Sequence, residues 1–149
     1  MSEPQVPDGT ASTIQHFIDE RHGFLSWLGT QVEDVRYGEV DLTIPFDDKL
    51  TNPSDPPTIH GGVAATLIDT AGGLALRTTL ENPIEDTLAT VNLNVNYLRR
   101  ASSDITAHAE VIRTGSSIGW VEVTVESETP DGERKEVATG QAAFRLFQS

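Results

Sequence analysis

Ile59-His60-Gly61-Gly62-Val63-Ala64-Ala65-Thr66-Leu67-Ile68-Asp69-Thr70-Ala71-Gly72-Gly73-Leu74-Ala75-Leu76-Arg77 is the stretch that decides the fold. Ile59, Val63, Ala64, Leu67, Ile68, Ala71, Leu74, Ala75 and Leu76 cover nearly every side of a helix, and a helix apolar all round is a buried one. At ~1.5 Å per residue it spans roughly 30 Å, enough to cross a whole small sheet. The flanking sequence has to supply that sheet.

Downstream of Glu81-Asn82-Pro83, four stretches have strand character. Val91, Leu93, Val95 and Tyr97 alternate with Asn92, Asn94 and Asn96; Ile105, Ala107, Ala109 and Val111 repeat the pattern; Val121, Val123 and Val125 alternate with Glu122, Thr124 and Glu126. The last strand runs from about Glu133 to Phe147. Gly115-Ser116-Ser117 and Thr129-Pro130-Asp131-Gly132 carry hairpin chemistry between them. Upstream, Val40, Leu42 and Ile44 alternate with Asp41 and Thr43 after a Tyr37-Gly38-Glu39 turn, and Pro45 ends the strand. A loop rich in Pro, Asp and Asn follows from Asp47 to Thr58. Phe24-Leu25-Ser26-Trp27-Leu28-Gly29 leads into another strand, and Ser12 or Thr13 caps a short first helix that ends near His22-Gly23. Residues 1–11 are expected to be a disordered arm, and residues 12–149 a single domain. The order is helix, two strands, long helix, four strands: an α+β fold with an antiparallel sheet wrapped around one long central helix.

The chain has 149 residues, enough for one domain with a real core and too few for two ordinary ones. It has no cysteine, which excludes disulfides, thiolate zinc sites and a cysteine nucleophile. No apolar run approaches the ~20 residues of a membrane helix. The acidic, Pro/Gly-rich start, Met1 to Gly9, is the opposite of a signal peptide's layout. A cytoplasmic protein without membrane attachment is expected. Asp and Glu total 23 against 10 Lys and Arg, a net of −13, and only Lys49 and Lys135 are lysines. That surface repels nucleic acid and anionic lipid. It suits high salt, where ions screen the self-repulsion, so a halophilic protein is expected. Stability measured against KCl separates this from an ordinary acidic protein, which does not need molar salt to stay folded.

Between Ile59 and Arg77 the only formal charge is Asp69. A carboxylate in the middle of a core helix is costly unless something compensates it; it is either a site residue or a structural group bonded to a polar spot. At the helix start, Gly61 and Gly62 stand where first-turn N–H groups have no helical partner. Without Cβ atoms the backbone there lets a ligand approach closely, and the positive end of the helix dipole suits a carbonyl or oxyanion. The same pair also fits a plain loop-to-helix junction. Gly61 and Asp69 are eight residues apart, on the order of 12 Å along one helix, so one acyl carbon cannot sit beside both. Either they are unrelated, or the site is shared between chains in a two-fold dimer with antiparallel helices side by side.

His60-Gly61-Gly62-Val63-Ala64-Ala65-Thr66-Leu67-Ile68-Asp69 resembles the HGGxxxxLxD signature of hotdog-fold acyl-CoA thioesterases of the phenylacetate-pathway (PaaI-like) and human thioesterase-superfamily-member type. The similarity covers roughly residues 30 to 147. It implies a hotdog fold, an acyl-CoA substrate, and a homodimer or homotetramer with active sites at the dimer interface. Under it Asp69 is the carboxylate that attacks the thioester or activates water, the Gly61 N–H polarises the carbonyl, and His60 holds the loop or assists at the carbonyl. Asn52 resembles the family's upstream asparagine, although Pro53-Ser54-Asp55-Pro56-Pro57 gives this chain two extra residues before His60. Thr90 matches a position where relatives carry a serine or threonine that orients water; it also fits an ordinary strand position. Gly62, Arg99, Arg100, Arg113, Gly115 and Ser116 resemble the substrate-contacting edge, where arginine suits the phosphates; surface salt bridges account for the arginines too. Gly72-Gly73 allows close helix packing or an acyl tunnel. Hydratase or dehydratase chemistry on the same fold, and non-catalytic acyl-CoA binding, are the alternatives. His16, His22 and His108 form no metal spacing and His60 has no partner at i+3 or i+4, so neither metal nor cofactor is expected.

Overall fold

Strand alternation and hairpin turns put six of the strands into one antiparallel sheet. The protein is described as a computed structural model over residues 3–147; Met1 and Ser2 of the expected arm lie outside the described residues. In chain order the elements are α1 (Thr10–Arg21), α2 (Gly23–Trp27), β1 (Gln31–Arg36), β2 (Glu39–Ile44), β3 (Thr51–Asn52), β4 (Thr58–Ile59), α3 (Gly61–Arg77), β5 (Thr87–Tyr97), β6 (Ile105–Thr114), β7 (Ile118–Glu128) and β8 (Arg134–Phe147). The large sheet has the order β1-β2-β6-β7-β8-β5, and β3 and β4 pair separately. The sheet wraps around α3, which is the arrangement expected of the hotdog fold.

Two local expectations change. The first helix starts at Thr10, capped by Gly9 with φ 82° rather than by Ser12 or Thr13. Val6 packs against the core, so the first turn of α1 and the segment before it are tied down. Phe24 to Trp27 form a short helix instead of leading straight into a strand, because His22 Nδ1 accepts the Leu25 N–H at 3.3 Å and caps it. The Asp47–Thr58 loop also contains a 3-10 turn and the small β3–β4 ladder.

The core forms where α3 meets the sheet. Ala64, Leu67, Ile68, Ala71, Ala75 and Leu76 are buried against it. Helix and sheet approach closely at Gly72: a Cβ there would lie 2.7 Å from Val121 Cγ2, inside any van der Waals contact. Of the two roles expected for Gly72-Gly73, the packing of Gly72 on Val121 and of Gly73 on Phe144 accounts for both glycines. The helix is not buried all round, however. Gly62, Ala65, Thr66, Asp69 and Thr70 form an incompletely covered stripe along one side, spaced as neighbours on a 3.6-residue helix. Asp69 avoids the cost of full burial by lying on that stripe.

Candidate active site

The start of α3 is fixed by backbone pairing on two sides. The β3–β4 ladder pairs Thr51 with Ile59 and Asn52 with Thr58. The His60 N–H donates to the Leu50 carbonyl and the Ile59 N–H to the Ala101 carbonyl, each at 2.8 Å. The residues from Pro53 to Pro57 form the tip of this hairpin, and Asn52 stays paired with Thr58 on the strand that leads into His60. His60 is the N-cap of α3: its Nδ1 accepts the Gly62 N–H at 2.8 Å, and a Cβ on Gly62 would lie 2.9 Å from that nitrogen. Gly61 is equally constrained, since its Cβ would meet the Tyr97 ring at 3.0 Å. Both glycines are therefore places where side chains fold back over the helix start.

Eight residues on, Asp69 Oδ1 accepts a hydrogen bond from the Thr90 hydroxyl at 2.6 Å. Thr90 reaches it because β5 carries a bulge. Thr90 pairs with Phe144, and the register then slips before Asn92 pairs with Ala143. A bulge re-aims a side chain. Here it puts Leu88 and Thr90 on the same face as Leu93, Val95 and Tyr97, toward α3. The strict alternation expected from Val91 onward holds only from Asn92. Farther along, Tyr97 Oη donates to the Gly61 carbonyl at 2.7 Å, while Arg77 Nη1 donates to the carbonyls of Pro83 and Asp86 at 2.8 and 2.9 Å. Thus β5 and the segment before it are bonded to α3 near both helix ends and at Asp69.

The structure brings Asp69 and Thr90 together, and His60, Gly61 and Gly62 together, but the two groups lie on the order of 12 Å apart along one helix. The arginines are also split. Arg99 and Arg100 follow β5 after Leu98 and precede Ala101, whose carbonyl accepts the Ile59 N–H beside the helix start; Arg99 Nη1 donates to the Glu136 carbonyl. Arg113, Gly115 and Ser116 lie in the β6–β7 hairpin at the opposite end of α3. There the Val111 N–H bonds the Gly38 carbonyl and the Gly38 N–H bonds Thr78 just past the helix. A concavity of about 500 Å³ is elsewhere, lined by Gln15, Asp19, Thr30 and Glu33 among others; Asp69 takes no part in it. Of the catalytic candidates, Asn52, Gly61 and Asp69 are half-buried and His60 and Thr90 exposed.

Two features were out of reach of the sequence. Tyr97 reads as one more alternating strand residue, and nothing local signals its contact with Gly61, 36 positions away. Glu39, His108 and Glu110 bring ligand-type atoms within 4.8 Å of one another on the face of β2 and β6 opposite the core. Spacing along the chain missed that cluster because its members come from two strands. His108 there bonds Asp41 Oδ1 at 2.6 Å and Glu39 bonds Arg36. Among the described residues no helix is long and apolar enough to cross a membrane.

Residues 57–133 match the family model described as the thioesterase superfamily. An inferred esterase of Halobacterium salinarum is 49% identical over 145 residues, covering 95% of each chain. In shape, the chain is similar to a thioesterase family protein from Silicibacter pomeroyi (TM-score 0.78, 24% identity, 93% of this chain and 99% of that one). It is also similar to a thioesterase from Haemophilus influenzae (TM-score 0.77, 24% identity, 92% and 90%).

Proposed function

The chain belongs to the thioesterase superfamily, and from that premise we propose that it hydrolyses an acyl- or aryl-acyl-CoA thioester to the free acid and CoA. The observation that carries this is the Asp69 carboxylate on the uncovered stripe of α3, bonded by Thr90, on the same helix whose start presents Gly61. In the proposed step the carbonyl oxygen accepts the Gly61 N–H at the positive helix end. Asp69 takes a proton from water as its oxygen bonds the acyl carbon, or bonds that carbon itself. The carbon–sulfur bond then breaks, and the thiolate leaves as CoA and takes up a proton; an acyl-Asp69 anhydride formed by direct attack is hydrolysed by the one water the reaction consumes, which frees the acid and Asp69.

Because Gly61 and Asp69 are too far apart in one chain to serve one carbonyl, the proposed unit is a two-fold dimer. Antiparallel copies of α3 set each Gly61 against the other chain's Asp69. Such a pairing also brings one chain's Arg99 and Arg100 toward the other's β6–β7 hairpin, which reunites the split arginines around a CoA phosphate. The lysine-poor, acidic composition and the relative from a halophile support work in high salt.

The test is a panel of acyl-CoAs with thiol trapping in molar KCl. Asp69→Asn and Asp69→Ala should lower turnover by about a thousandfold; undiminished turnover sinks the assignment, and saturable binding without thiol release favours a non-catalytic acyl-CoA binder. Mixing Asp69→Asn with Gly61→Ala chains tests the sharing. Mixed dimers keep one intact site, so about a quarter of wild-type activity should return on re-association, whereas a site built within one chain gives none.

A further inference from the structure

Tyr97 is more than half exposed, at 57%, yet its hydroxyl is committed to a backbone carbonyl that already lies in the first turn of a helix. That carbonyl belongs to the Gly61–Gly62 peptide. The other end of the same planar unit, the Gly62 N–H, donates to His60 Nδ1. Tyr97 Oη–H, the Gly61 carbonyl, the Gly62 N–H and His60 Nδ1 therefore form one continuous chain of two hydrogen bonds joined through a peptide, 2.7 and 2.8 Å long.

A backbone N–H can only donate, so Nδ1 must be an acceptor. A neutral imidazole that accepts at Nδ1 carries its proton on Nε2. A donor placed on a carbonyl polarises the peptide and strengthens its N–H as a donor, so the tyrosine hydroxyl reinforces the bond to His60 across the amide. Steric constraint acts in the same direction, because a Cβ on Gly61 would lie 3.0 Å from the Tyr97 ring and one on Gly62 2.9 Å from His60 Nδ1, so either would push the side chain that covers it.

We infer that Tyr97 is a positioning residue. From β5 it holds the Gly61–Gly62 peptide at the start of α3 and through it fixes His60 as the neutral tautomer protonated on Nε2. This rests on the proposed thioester hydrolysis for its purpose: His60 then offers an N–H beside the Gly61 N–H, and acts as a donor rather than as a base. It also makes β5 the support of both halves of the chemistry, through Thr90 at Asp69 and through Tyr97 at the helix start.

The experiment compares wild type with Tyr97→Phe, which keeps the ring over Gly61 and deletes only the hydroxyl. At an exposed position that change leaves the fold intact, and the melting curve checks it. Nitrogen NMR of the His60 ring reports the tautomer, amide exchange reports the Gly62 N–H, and thiol release gives kcat and KM separately. Wild type should show His60 protonated on Nε2. Tyr97→Phe should speed Gly62 exchange, weaken the tautomer preference and lower kcat by about threefold to tenfold with KM unchanged. A wild-type His60 protonated on Nδ1, or Tyr97→Phe that leaves the exchange and the tautomer as they were, overturns the inference. So does an unchanged kcat in an enzyme that releases thiol. If wild type releases no thiol from any acyl-CoA while the NMR behaves as expected, the hydrolysis assignment fails and the hydrogen-bonded chain from Tyr97 to His60 is upheld.

Discussion

The two edges of the sheet are finished in opposite ways. At β1 the edge is short, six residues, carries Glu33, Asp34 and Arg36, and is broken by a bulge between Val32 and Asp34. It is also capped from within: Gln15 of α1 accepts the Val32 N–H at 2.6 Å and donates to the Thr30 carbonyl at 3.1 Å. At β5 the edge is 11 residues long without a single charge. Val91, Leu93 and Tyr97 are 58, 38 and 57% exposed along it, and its far side has no strand partner among the described residues. Protein edges are normally blunted by shortness, charge, bulges or a covering element. β1 uses all four, while β5 has one bulge, and that bulge serves to aim Thr90 at Asp69. An edge left this open, beside the uncovered stripe of α3, is where the proposed dimer would pair its second copy.

Breaking the β5 edge should therefore have the largest effect. Leu93→Glu places a carboxylate on the α3-facing side of the strand, where pairing with a second copy takes it out of water. An unpaired buried charge costs several kcal/mol, so association should weaken by about a hundredfold or more, and molar salt does little to rescue a buried charge. Sedimentation should show single chains, with thiol release per chain falling in parallel while circular dichroism still reports a folded domain. Single chains that retain full activity would separate the edge from the chemistry; a dimer that persists would place the joint elsewhere.

A smaller effect is expected from the hydrogen bond that Thr90 of β5 donates to Asp69. Thr90→Val keeps the branched shape and removes the donor. A hydrogen bond to a charged group is worth about 1.5–3 kcal/mol, so kcat should fall by about tenfold or more with little change in KM or in association, and Thr90→Ser should restore it. If Thr90→Val leaves kcat alone, the bond to Asp69 is structural.

How much of this was legible beforehand differs between the two edges. The core positions, the order of elements along the chain and the turns at Gly38 and Gly132 follow from period and turn chemistry, which are local; the pairing of β2 with β6 and of β5 with β8 does not. The helix candidates from His60 to Asp69 were visible because a lone charge on an apolar helix stands out. Asp69's partner was only half visible, since Thr90 shares its strand with residues whose alternation points it the wrong way until the bulge is known. Tyr97, the Gln15 cap and the Glu39, His108 and Glu110 cluster depend on contacts between elements far apart in sequence. The cap at Gly9 was missed because a left-handed glycine competes with the better-known preference for Ser or Thr.

The smallest change belongs to the β1 edge, and its character should differ as well as its size. Gln15→Ala strips two backbone groups of their partners, the Val32 N–H and the Thr30 carbonyl. Both are partly buried, so water replaces the amide imperfectly. The expected cost is about 1–3 kcal/mol, or a melting point lower by about 2–10 °C in a chain of this size. Because β1 lies at the far end of the sheet from β5, kcat, KM and the association constant measured well below the melting point should be unchanged. The two edges then separate cleanly: damage to one is read in stability alone, damage to the other in association and turnover. Should Gln15→Ala instead lower turnover or disperse the dimer, β1 would share in assembly, and the closed edge would have to be counted as a joint too.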